Sequence, residues 1–255
     1  MTTPPTASAP LGRVEITRRA SYAVIAVVVL VAFGLQFYLL FTGGADANSG
    51  ESGSSIPVAE RFARLFSFFT ILSNVLVLVA AIGAALGRDT RPGAGRGWRL
   101  LHLDALLSIV VTGSVFGFVL APGLQLRDEA VVATALFHNV SPVLFALAWL
   151  VFGPRRWWSI RIAALAFIWP AVWLAFTFTR GAITDWYPYP FLDVNQVGAG
   201  TAALGALAVV AFAVVLTAVI LVIDRFAPSL SGSATPAADG RPDAPTAAGR
   251  ATAGR

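Results

Sequence analysis

Six long apolar runs, each of membrane-spanning length and separated by short polar links, constrain this chain more than any other feature. A hydrocarbon core of about 30 Å needs roughly 20 apolar residues in helical form, and only helices or closed barrels satisfy their own backbone there. Runs of this length fit helices and are far too long for the strands of a barrel. They lie at about 21–41, 61–86, 100–120, 130–152, 162–179 and 197–223. The fold class expected is therefore all-α: a polytopic membrane protein with six transmembrane helices. Apolar residues make up 57% of the chain and charged residues only 12%, against about a quarter charged in soluble domains.

Arginine placement orients the bundle. All 18 basic residues are arginine, and fourteen of them fall in the N-terminal tail, the second and fourth connections and the C-terminal tail. By the positive-inside rule both termini are cytoplasmic, and an even number of spans agrees. The net charge of +5 thus serves membrane orientation, and nucleic acid is not an expected partner. Residues 1–17 and 226–255, rich in Pro, Ala, Thr and Gly, read as disordered tails around a transmembrane domain at 18–225. Arg18-Arg19 before the first run and Ala45-Asp46-Ala47 after it imitate a cleaved signal, but the run exceeds a signal core and reads as a retained helix. The absence of cysteine excludes disulfides, thiolate metal sites and a cysteine nucleophile. Abundant Ala, Gly and Val together with the all-arginine usage suggest a bacterial genome.

The second run opens with Arg61 to Asn74, RFARLFSFFTILSN, an unusual load of polar groups for a membrane helix. Taken as one helix from Arg61, it places Arg64, Ser67, Thr70 and Asn74 within roughly 120° of one face. Polar groups in hydrocarbon are costly and mark functional sites by default. The fourth run carries His138, and entry of both spans from the outer side puts Thr70 and His138 about 9–13 Å deep at 1.5 Å per residue. A threonine hydroxyl becomes a nucleophile when a base takes its proton, and neutral imidazole is the usual base near neutral pH. The bland alternative is a Thr70 bonded to its own helix and a His138 bridging helices. Thr134 and Ser141 share the face of His138 and are placed to hold its ring.

Other features have mainly structural readings. Gly83/Gly87 and Gly113/Gly117 form GxxxG patterns that suit close helix packing. His102, at the cytoplasmic end of the third run, is too far in depth from His138 to share a haem, and no cofactor or metal is expected. Asp104, with Ser108 and Thr112, forms a stripe on the third run, with Asp104 read as pairing with a loop arginine. Trp169-Pro170 predicts a kink in the fifth run. Arg61, Arg64 and Arg180 at the outer rim suit an anionic head group or carboxylate, or else ion pairs with Asp185, Asp193 or Glu129. The loop WYPYPFLD, with Trp186, Tyr187 and Tyr189, reads as an aromatic belt or a shaped cap.

FTILSN in the second run, a histidine in the fourth and WYPYPFLD before the last together resemble the prokaryotic six-transmembrane branch of the androgen-induced-gene family. The resemblance covers about residues 20–225. Eukaryotic members are intramembrane threonine hydrolases of fatty acid esters of hydroxy fatty acids. The resemblance implies Thr70 as nucleophile and His138 as its histidine. The chain departs from the branch at Gly117, where relatives often carry a histidine. The expectation is a plasma-membrane lipid-ester hydrolase with Thr70 and His138 catalytic, and with Arg61, Arg64, Ser67, Asn74, Arg180, Trp186, Tyr187 and Tyr189 around the substrate. Membrane lipids are its expected partners. The alternative is a non-catalytic protein that binds or moves a lipid or small anion with the same polar seam.

Overall fold

The computed structural model describes residues 12–89 and 94–230. Among them every regular element is helical, and one isolated bridge joins Ala45 to Ser52. The helices are α1 (Arg13–Thr42), α2 (Val58–Leu65), α3 (Phe69–Ala85), α4 (Arg96–Val115), α5 (Asp128–Ala135), α6 (Ser141–Phe152), α7 (Ile160–Ala166), α8 (Ile168–Thr184), α9 (Val194–Val197) and α10 (Ala199–Phe226). Five helical stretches are long and apolar enough to cross a membrane, and a sixth is obtained if the bent pair α2 and α3 counts as one span. The protein is therefore an all-helical, membrane-embedded chain. α1 begins at Arg13, so residues 13–17 are helical where a disordered tail was expected. Phe226, expected in the C-terminal tail, is the last residue of α10, and residues 1–11 and 231–255 of the expected tails lie outside the described residues, as does Arg91.

Helix α4 sits at the centre, packed on α3, α6, α7 and α10, while α1 packs on α3, α5 and α6. Half of the apolar window of α4 is buried but only 22% of that of α10, so α10 lies at the periphery. The burial pattern inverts that of a soluble protein. Val27, Leu30, Val215 and Val222 face outward, whereas Arg18, Gln36, Ser73, Asn74, His102 and His138 are buried. This is the arrangement hydrocarbon demands, because polar groups find partners only inside the bundle.

The second span is not one straight helix. α2 and α3 meet at 69°, across Phe66, Ser67 and Phe68. The reason is local. Ser67 Oγ donates to the Ala63 carbonyl at 2.6 Å, occupying the acceptor its own amide would use. The amides of Ser67 and Phe68 fall back on Arg64 O and Leu65 O, a tightened turn that ends the helix. The single polar face expected from Arg64 to Asn74 therefore does not exist. Arg61 and Arg64 belong to a separate amphipathic helix, and Thr70 sits in the first turn of α3. Its depth cannot be counted from Arg61.

The third and fourth spans each contain one π-helical turn, at Phe116–Leu120 and Leu136–Val140. In the second of these, Ser141 N bonds Leu136 O, five residues back, which leaves the Phe137 carbonyl without a helical donor. Pro142, lacking an N–H, keeps the next rung from closing. Single π turns of this kind recur at functional sites. The fifth span breaks at Phe167, between α7 and α8, close to the kink expected at Trp169-Pro170.

Candidate active site

Thr70 stands in the first turn of α3, where the amides have no acceptor within their own helix. His138 stands in the second π turn. The two meet: Thr70 Oγ1 lies 3.2 Å from His138 Nε2, and both side chains are buried. The other ring nitrogen, Nδ1, lies 3.1 Å from the Thr134 carbonyl. A carbonyl oxygen only accepts, so Nδ1 carries the proton and the neutral ring presents a bare Nε2 to Thr70. The Thr70 hydroxyl then donates to His138. Phe116, the first residue of the other π turn, stacks on the imidazole with centroids 4.1 Å apart and rings inclined by 25°. Both irregular turns thus converge on one histidine.

The ring of His138 is not held as expected. The Thr134 hydroxyl donates to Ala47 O instead, which ties the loop after α1 to this helix, and Ser141 Oγ has no partner among the described residues. It is the backbone of Thr134 that orients the imidazole.

A third group completes the cluster. The Tyr189 hydroxyl accepts the Thr70 amide at 3.2 Å and lies 3.3 Å from Thr70 Oγ1. Since Thr70 donates to His138, the phenolic proton points at the Thr70 oxygen. Tyr189 is placed by stacking on Phe191 and edge contacts with Phe68. Asn74 lies one turn deeper and is wholly buried; its Nδ2 donates to Thr70 O at 2.9 Å and Phe137 O at 3.3 Å. The second acceptor is the carbonyl released by the π turn. Asn74 therefore clamps α3 to the turn that carries His138, and its amide hydrogens are spent on the backbone. Ser67 is likewise structural, since its hydroxyl bonds Ala63 O and its carbonyl accepts from Trp173 Nε1 at 3.0 Å.

Beside Thr70 opens a cavity of about 740 Å³, its mouth included. Its walls are almost entirely apolar: Leu107, Val111, Pro170, Leu174, Val209 and Ala213, with Trp173 and Tyr189 beside Thr70. Ser108 and Thr112 are its polar spots, and Thr112 Oγ1 donates to Ser73 Oγ. Apolar walls with a few convergent polar groups are the usual lining of a small-molecule site. Asp104, expected to pair with an arginine, forms no ion pair with a described residue and does not line the cavity.

The rim arginines are more engaged than their sequence positions suggest. Arg61 donates to the carbonyls of Ile56 and Leu40, bracing the loop. Arg64 pairs with Glu60 and Glu51, and Arg180 pairs with the same Glu60. Their acidic partners are thus not the expected Asp185, Asp193 or Glu129; Asp193 instead caps α9. Arg64 and Arg180 lie 5.0 and 4.7 Å from the ring of Trp186, and Trp186 packs edge-on to Phe68. One donor is unsatisfied, because Arg180 Nη1 is buried and has no partner among the described residues. Tyr187 is directed elsewhere, against Gly181 and Phe178.

Phe116, the Phe137 carbonyl and Trp173 had no sequence signal, because their parts in the site depend on irregular turns and long-range packing. Gly117, in the π turn that begins at Phe116, is exposed, with nothing within 4 Å of where a side chain would begin. Comparison with family models, with curated proteins and with solved structures finds no match to this chain.

Proposed function

We propose that this protein is a lipid-ester hydrolase of a bacterial plasma membrane, akin to the six-transmembrane branch of the androgen-induced-gene family that its motifs resemble. In this reading both termini are cytoplasmic and the site opens into the outer half of the membrane. The observation that carries it is the 3.2 Å approach of Thr70 Oγ1 to a His138 Nε2 left unprotonated by the Nδ1 contact.

The acyl chain of the ester enters the apolar cavity, so that its carbonyl carbon faces Thr70. Thr70 Oγ1 attacks that carbon while His138 Nε2 takes the hydroxyl proton. The negative charge on the former carbonyl oxygen meets the positive end of α3, whose first-turn amides lack helical acceptors. Collapse breaks the bond to the leaving alcohol, which receives the proton from His138. Water then attacks the acyl-threonine, with His138 removing its proton and returning one to Thr70 Oγ1 as the acid leaves. A carboxylate or head group on the substrate lies at the rim, where Arg61, Arg64 and Arg180 outnumber Glu51 and Glu60 by one charge.

The competing reading, a non-catalytic lipid or small-anion carrier, would use the same seam, yet Arg64 and Arg180 are already paired with acids. The test is lipid-ester turnover and labelling by a hydroxyl-directed covalent probe in the wild type and in Thr70→Ala and His138→Ala variants. The hydrolase reading expects both signals to collapse in both variants, and equal signals from all three proteins would sink it. Flux through proteoliposomes lost in Arg64→Ala but intact in Thr70→Ala would favour the carrier.

A further inference from the structure

Helix α3 runs about 22 Å from Thr70 to Ala85 at 1.5 Å per residue, and beyond its far end the bundle carries a second cleft, apart from the chemistry around Thr70. It lies between the first turns of α4 and α7. Three arginines line it, Arg96, Arg99 and Arg161, above a wall of Leu100, Ile162 and Leu165. Gathering three like charges around one cleft is unfavourable unless an anion sits among them. Yet none of the three forms an ion pair with a described residue. Arg99 spends only its Nε, on the Ala94 carbonyl.

Of the acids of this end, Glu15 pairs with Arg18 and Arg19, and Asp104, further along α4, pairs with none of the three arginines and does not line the cleft. Asp89 is held by Arg18, and Asp224 accepts the amides of Trp157 and Trp158. The lining hydroxyl, that of Ser159, is occupied by the amide of Ile162. The positive charge of the cleft is therefore unanswered among the described residues.

The surroundings give the depth. Trp98, Trp157 and Trp158 pack around the buried His102 at the same end, with the Trp158 indole N–H bonded to Arg99 O at 2.9 Å, and the cleft sits where the apolar spans that begin at Arg96 and Ile160 start, at head-group level. Among the apolar lining residues Leu165 is 41% exposed, so the apolar side of the cleft opens outward there. Planar guanidinium groups match phosphate oxygens two at a time. A free anion would need only the arginines. The adjoining apolar wall adds a place for chain carbons attached to that anion.

We propose that this cleft binds an anionic phospholipid of the adjacent leaflet, its phosphate among Arg96, Arg99 and Arg161 and its glycerol and upper acyl carbons along Leu100, Ile162 and Leu165. The site is independent of Thr70 and His138, and it holds a lipid that is not turned over.

The test is native mass spectrometry of the full chain in a zwitterionic detergent, titrated with dioleoylphosphatidylglycerol or dioleoylphosphatidylcholine. One phosphatidylglycerol is expected to bind at least about tenfold more tightly than phosphatidylcholine. Because each surface arginine contributes appreciably to anionic-lipid affinity, Arg96→Gln/Arg161→Gln should weaken it by about tenfold or more. Arg127→Gln, an exposed arginine distant from the cleft and equally without an ion pair, should leave it unchanged. Melting of each variant in lipid-free detergent verifies folding, and Arg99→Gln provides a second lesion should the double variant fail to fold. Equal binding of the two lipids, or undiminished phosphatidylglycerol binding in the folded variants, overturns the proposal. Displacement of the bound lipid by inorganic phosphate alone overturns the assignment to a phospholipid.

Discussion

The phenol of Tyr189 meets Thr70 at two atoms, accepting its amide at 3.2 Å and lying 3.3 Å from its hydroxyl oxygen. The second contact is the one that changes along the proposed reaction. As Thr70 loses its proton to His138, charge grows on Oγ1, and the phenolic O–H is the donor already aimed at it. Tyr189→Phe keeps the stack on Phe191 and removes the hydroxyl, which is both that donor and the acceptor of the Thr70 amide. Loss of one donor to a developing oxyanion costs about 10² to 10³ in turnover. The expected outcome is a kcat reduction of that order with KM within a few-fold of wild type, measured on a soluble lipid ester. A kcat equal to wild type would assign Tyr189 a packing role only.

Asn74 makes a different kind of contribution. Its Nδ2 joins Thr70 O to the Phe137 carbonyl that the π turn leaves free. Leaving buried acceptors without a donor costs about 1–3 kcal/mol, so Asn74→Ala should lower stability by that amount and reduce turnover by loosening His138. Asn74→Asp should be worse, because it turns an oxygen toward two carbonyl oxygens. Denaturation in detergent ranks the variants, and an Asp variant as stable as wild type would contradict the clamp.

What could be read in advance follows from the strength of each signal. Apolar runs of spanning length and a histidine within one of them are strong signals, since hydrocarbon tolerates few arrangements of either. The approach of Thr70 to His138 depended on helix neighbours, which no local pattern encodes. The bend at Phe66 to Phe68 was hidden because Ser67 ends α2 through a side-chain bond to Ala63 O, a local competition that hydropathy does not register. The π turns were invisible for a similar reason, being one-residue insertions into an otherwise regular ladder. Tyr187 and Tyr189 looked equivalent in WYPYPFLD. Packing of Tyr187 against Gly181 and of Tyr189 against Phe68 separates them. Arg64 found Glu51 because the loop after α1 folds back on α2, while Glu60, one turn earlier in α2, serves both Arg64 and Arg180.

That loop also predicts a pH dependence. Asp46 bonds the amides of Asn48 and Ser49 and the side chain of Gln36, fastening the loop to α1. Burial outweighs these bonds and raises its pKa above the usual aspartate value. The folded state then holds this proton at pH values where the unfolded chain has released it. Stability therefore falls as pH rises from the ordinary aspartate value through the raised one. Thermal melting followed across the mildly acidic range should show this downward slope, and Asp46→Asn should flatten it. An unchanged slope in the variant would assign the dependence to other carboxyls.

Gly113 ties the packing of the bundle to the chemistry. A methyl group at this position of α4 would lie 3.0 Å from Pro142 Cβ and 3.1 Å from the carbonyl oxygen of His138. Both neighbours belong to the segment that carries the imidazole, and a backbone carbonyl in a buried turn has little room to retreat. Gly113→Ala should therefore push the π turn away from α4, lengthening the Thr70 to His138 contact. Overpacking of this kind costs about 1–3 kcal/mol, which helix propensity offsets by up to about 1 kcal/mol. Its effect on turnover should be larger than its effect on melting, because a misplacement of about 1 Å can cost about 10²-fold in rate. Gly117→Ala is the matched control, with the same substitution in the π turn that follows α4 but nothing within 4 Å of the added carbon. Parallel measurement of ester turnover and melting should find Gly117→Ala near wild type and Gly113→Ala folded but slow. Equal turnover in the two variants would mean that His138 is not positioned by its packing against α4.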